Sequence, residues 1–98
     1  MFVTALPETM DTAASSLASI GTTVAAGNAA GAPATTGVVP PAPEPASLLL
    51  ALAFATHGGL YQATQGIGSV VHAMFVSTLA ASAGSYAATE GLNAVAMV

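Results

Sequence analysis

Few side chains in this sequence can do chemistry near neutral pH, and their spacing decides what that chemistry is. The two histidines, His57 and His72, stand fifteen residues apart. On one helix that spacing puts them on similar faces but about 22 Å apart, too far to share a metal ion or a substrate atom. His57 lies in a stripe with Phe54 and Tyr61, and His72 lies beside Val71 and Phe75, so packed and hydrogen-bonded rings are the simplest reading of both. Ala80-Ala81-Ser82-Ala83-Gly84 only half resembles a nucleophile elbow, because it lacks the first glycine and follows a helical pattern instead of a strand. Gly66-Ile67-Gly68-Ser69 has neither a Walker lysine nor a full dinucleotide fingerprint, and no strand precedes it. No catalytic, metal or cofactor site is expected. There remain Tyr86 and Glu90, a phenol and a carboxylate one helical turn apart on one face, which by themselves read as an ordinary surface pair.

Two helices must position these groups. Leu6, Met10, Ala13, Leu17, Ile20 and Val24 recur in steps of three and four, with Glu8, Asp11, Thr12, Ser15, Ser19 and Thr22 opposite, which predicts an amphipathic helix over about 7–27. Pro7 suits its first position, and Glu8 and Asp11 favour the positive end of its dipole. Over about 28–45 glycine and proline accumulate, predicting a stiff connection in which Val38-Val39 is a candidate short extended piece. A second helix is expected over about 46–88, followed by a C-terminal tail, all within one all-α domain, 1–98. It carries two apolar stripes, one through Leu49, Leu60, Ile67, Val70 and Met74, the other through Phe54, Tyr61, Val71 and Phe75. About 40 residues of helix are ~60 Å long against ~35 Å for the first helix, so part of this face must meet another molecule. Gly58, Gly59, Gly66 and Gly68 each weaken an isolated helix by about 1 kcal/mol, and packing has to hold it together.

Composition narrows the partner. The chain has 98 residues and no cysteine, so stability from a large core or a disulfide is excluded and a partner chain is the remaining source. Lys and Arg are absent, and Glu8, Asp11, Glu44 and Glu90 give a net charge of -4. Nucleic acid is thereby excluded, since phosphates require cations, and anionic membrane surfaces are disfavoured. The start, from Met1 to Glu8, has neither the positive region nor the apolar core of a general secretory signal, so no such signal is expected. Hydrophobic residues make up 54%, which keeps a small membrane or cell-envelope hairpin as the alternative reading. Against it, His57, Gly58, Gly59, Gln62, Gln65 and Ser69 interrupt every run of ~18 apolar residues, and no Lys or Arg flanks the segment.

Taken in order, the sequence resembles the mycobacterial PE family along nearly its whole length. The resemblance rests on Phe2-Val3, Pro7-Glu8, Ile20-Gly21, Asn28-Ala29-Ala30, Thr35-Thr36-Gly37-Val38-Val39-Pro40, His57 and Tyr61-Gln62-Ala63. It continues through His72-Ala73-Met74-Phe75-Val76, Thr78-Leu79 and Gly84-Ser85-Tyr86-Ala87-Ala88-Thr89-Glu90. It implies two antiparallel helices docking on two helices of a PPE protein to give a four-helix bundle. The expected partner interface is Leu6, Met10, Leu17, Ile20, Val24, Phe54, Tyr61, Ile67, Val71 and Phe75. The resemblance further implies that Tyr86 and Glu90 match the Tyr-x-x-x-Asp/Glu motif of type VII (ESX) secretion. It also implies that an EspG-type chaperone engages the PPE subunit, and that the product is a secreted or cell-surface protein without enzymatic activity. The match is to the bare PE domain without a long C-terminal extension. Two departures stand out: Glu44-Pro45-Ala46-Ser47 replaces the usual Asp-Glu-Val-Ser, and Ala73 stands where a Glu often follows the second histidine.

Overall fold

The computed structural model describes residues 4–98, so Phe2-Val3 of the resemblance lie outside the described residues. These residues form two helices, α1 (Pro7–Thr36) and α2 (Pro45–Ala96), with no strand among them. Both begin on proline, whose fixed φ suits a first turn and whose missing N–H is one that the helix could not use. At α1 the Leu6 carbonyl accepts from the amides of Thr9 (3.0 Å) and Met10 (3.3 Å), and Glu8 sits in the first turn. At α2 the cap is Glu44, whose carboxylate accepts from the amides of Ala46 (3.1 Å) and Ser47 (2.7 Å). Hydrogen bonds from the Ser47 side chain and amide, chiefly, hold the Glu44 carboxyl below its ordinary value. The departure at Glu44-Pro45-Ala46-Ser47 therefore keeps a working cap.

Both helices outrun their predicted ends. α1 continues through Gly27, Asn28, Gly31 and Pro33 to Thr36, although the sequence places its end near Gly27. Five alanines from Ala25 to Ala32 offset the helix-weakening glycines, and Asn28 is held by α2 as described below. The Thr35 and Thr36 hydroxyls return to the Gly31 and Ala32 carbonyls, and the Gly37 amide closes on the Pro33 carbonyl at 2.9 Å. α2 runs to Ala96 instead of ending near 88, because nothing from Thr89 onward breaks it except the tolerable Gly91. Tyr86 and Glu90 thus lie within the helix and not at its junction with a tail. Hydroxyls bonded back to their own helix recur outward along both elements: Thr12 to Glu8, Thr56 to Leu52, Thr78 to Met74, Ser82 to Thr78, Ser85 to Ala81 and Thr89 to Ser85.

The chain divides into two compact units, Met1–Gly21 with Val71–Val98, and Thr22–Val70, and each helix contributes to both. Within each unit the two helices run antiparallel, along a seam of mixed small, polar and apolar residues in the first unit and of small or polar residues in the second. In the first unit Ala14 and Ala83 are buried, with Met10, Leu17, Gly21, His72, Val76 and Leu79 half-buried beside them. In the second, Ala51 and Gly58 are buried, with Asn28, Ala32, Ala55, Gln62 and Gln65 half-buried. Of the apolar row Leu6, Met10, Ala13, Leu17, Ile20 and Val24 on α1, only Met10 and Leu17 are half-buried, while the rest are exposed. Hydrophobicity marks the widest apolar face, whereas close helix approach selects the smallest side chains.

Candidate functional site

In the first unit, α1 presents a backbone acceptor and α2 a ring. His72 Nε2 lies 2.7 Å from the Leu17 carbonyl oxygen, so that nitrogen carries the proton and donates. Gly21, one turn beyond Leu17, makes the room: a Cβ there would stand 2.8 Å from His72 Cδ2. His72 is therefore the packed, hydrogen-bonded histidine expected from sequence. Farther along α2, half-buried Glu90 accepts through Oε1 from the Ala5 amide at 3.1 Å, just ahead of the positive end of α1. One turn earlier Tyr86 is half exposed, and its phenol has no hydrogen-bond partner among the described residues. Pro7 and Glu8 occupy the first turn of α1 in the same unit, with Glu8 exposed.

In the second unit the helices are joined by side-chain amides. Asn28 Nδ2 donates to Gln65 Oε1 (3.2 Å), its Oδ1 accepts from the Tyr61 hydroxyl (2.6 Å), and its carbonyl accepts from Gln62 Nε2 (3.4 Å). Gln65 also donates to Gln62 (3.3 Å) and accepts from Ser69 (3.4 Å). Sequence reasoning missed this network because it assigned Asn28 to the connection; the signal was three amides amid apolar neighbours. Gly58 is buried against α1, where a Cβ would overlap the Thr35 carbonyl. Beside it lies an open apolar recess of about 440 Å³, lined by Ala34, Thr35, Val38, Phe54, His57, Gly58 and Tyr61. His57 is exposed on this recess, unlike the packed ring expected of it.

The remaining large side chains face outward. Leu6, Ile20, Val24, Phe54, Tyr61, Ile67, Val71 and Phe75 are all at least half exposed, and Met10 and Leu17 are half-buried. The chain exposes 7048 Å². Among the described residues no three His, Cys, Asp or Glu gather as a metal site would require. By length and composition α2 is apolar enough to cross a membrane. What this arrangement offers is therefore contact area, with one carboxylate and one phenol near the end of α2.

The PE family sequence model matches residues 3–93. The chain is 53% identical to PE family protein PE13 of Mycobacterium tuberculosis over 97% of this chain and 96% of that protein. It is 45% identical to PE-PGRS family protein PE_PGRS8 of the same organism, covering 98% of this chain and 55% of that one. With PE family protein PE8 it shares 42% identity over 97% of this chain and 34% of that protein. It thus spans about half and a third of the two longer relatives.

Proposed function

The chain belongs to the PE family, and on that premise we propose that it is a non-enzymatic subunit that pairs with a PPE protein and leaves the cell through a type VII (ESX) system. Its two helices and two of the partner's form a four-helix bundle, and an EspG-type chaperone engages the PPE subunit. The observation that supports this is the outward apolar surface, led by Phe54, Ile67, Val71 and Phe75, which no described residue covers. Covering it with another helical pair removes that area from water at about 25 cal/mol per Å². Tyr86 and Glu90 serve as the export motif, and the product is secreted or held at the cell surface.

Co-expression with a matched PPE protein tests the pairing. A 1:1 species by size exclusion and light scattering is expected, with the lone chain poorly soluble or molten. A monodisperse, sharply melting monomer of the lone chain would count against it. The apolar length of α2 favours one other reading, a membrane-inserted envelope hairpin. Alkaline extraction separates the two: a heterodimer is released, and an inserted hairpin stays with the membrane.

A further inference from the structure

We infer that Tyr86 and Glu90 divide the work of the export motif: Glu90 positions the segment leading into α1, and Tyr86 alone faces the export machinery. This rests on the export reading above. Glu90 Oε1 takes the Ala5 amide at 3.1 Å, a contact spanning 85 positions of sequence, and the residue is half-buried. Glu90 is the one acid on α2, and the chain holds no Lys or Arg to pair with it. Its engaged partner is a backbone donor beside the positive end of α1, where a carboxylate is a strong acceptor. Ala5, ahead of the Leu6 carbonyl that opens the helix, has no intrahelical acceptor for its N–H. The clasp gives that amide a partner and ties residues 4–6 to the turn of α2 that follows Tyr86. Tyr86 differs in both respects, since its ring is half exposed and its hydroxyl is unengaged among the described residues. A receptor therefore meets an exposed phenol, and meets Glu90 through the segment it holds.

The test follows co-purification with the PPE partner and the secreted fraction from mycobacterial cells for four variants. Ala5→Pro deletes the donor N–H and leaves Glu90 intact. Glu90→Ala deletes the acceptor, and Glu90→Gln keeps an acceptor oxygen at the same reach without the charge. Tyr86→Ala is the control for the motif itself. Ala5→Pro and Glu90→Ala should each lower the secreted fraction about tenfold or more with pairing unchanged, the scale of losing a hydrogen bond to a charged group. Glu90→Gln should stay within about threefold of the parent, since a neutral acceptor keeps roughly half of such a bond. Amide exchange at Ala5 in the purified heterodimer should accelerate in Glu90→Ala and little in Glu90→Gln. Normal export of Ala5→Pro, or a Glu90→Gln as defective as Glu90→Ala, would overturn the division and leave the carboxylate as the group that is read. Should Ala5→Pro fail to pair, Glu90→Gln and the Ala5 exchange rates decide alone. If Tyr86→Ala were exported normally, the motif reading itself would fall and the division of roles with it.

Discussion

The face of α2 that meets α1 is built mostly from small and polar residues, with Val76 and Leu79 among them, whereas the face turned away from it carries most of the large apolar side chains. Inward stand Ala51, Ala55, Gly58, Gln62 and Gln65 in one unit and His72, Val76, Leu79 and Ala83 in the other. Outward stand Leu49, Phe54, Leu60, Ile67, Val70, Met74 and Phe75. The two helices thus meet largely by close approach and hydrogen bonds, while most of the large apolar side chains stay exposed. An alanine seam buries little hydrocarbon, so the hairpin has geometric definition without much hydrophobic stabilisation of its own.

That contrast can be broken from either side. The largest effect is expected outward: Phe75→Ala should weaken PPE pairing by about 3–5 kcal/mol if the ring is covered in the bundle, while leaving the helicity of the lone chain unchanged. Titrating the heterodimer and comparing circular dichroism of the free chains checks both halves, and undiminished pairing would show that another face is used. Inward, Gly58→Val drives two methyls at the Thr35 carbonyl and Gly21→Val drives them at the His72 ring. Each should cost about 1–3 kcal/mol, seen as a lower thermal midpoint of the heterodimer. The Thr35 backbone yields less than a ring, so Gly58 should be the more sensitive. Tyr61→Phe removes the hydroxyl on Asn28 and should cost about 0.5–1.5 kcal/mol, measurable by chemical denaturation.

The smallest effect concerns the Glu44 cap. Its folded pKa lies below the ordinary 4.5, so its contribution is present above that value and lost as the pH falls through the lower folded one. Acid should fray the start of α2, followed by amide exchange at Ala46 and Ser47, and Glu44→Gln should remove that pH dependence.

Sequence made the outward face legible because large apolar residues announce themselves, and the start of α1 because Pro7, Glu8 and Asp11 mark it. The inward face was legible only at His72: Ala14, Gly21, Ala51 and Gly58 carry little signal, and only the neighbouring His72 ring and Thr35 carbonyl show why Gly21 and Gly58 are small. The end of α1 was misplaced for a related reason. Gly27, Asn28 and Pro33 read locally as a break, yet Asn28 is held by Tyr61, Gln62 and Gln65, thirty-three or more positions away. Tyr86 and Glu90 were visible as a pair one turn apart, whereas the Ala5 partner of Glu90 lies at the opposite end of the sequence.

The hydroxyls that fold back onto their own helices change what the outer surface presents to a neighbour. Thr12, Thr56, Thr78, Ser82, Ser85 and Thr89 each already spend their proton on a carbonyl one turn earlier. Stripping water from a hydroxyl with no other partner costs about 1–3 kcal/mol in proteins, but one that carries its own acceptor loses far less. A surface dotted with serine and threonine is consequently much drier in energetic terms than its composition suggests. It can be covered by an apolar neighbour without that neighbour having to supply matching polar groups, and this loosens the sequence requirements on whatever helix lies against it.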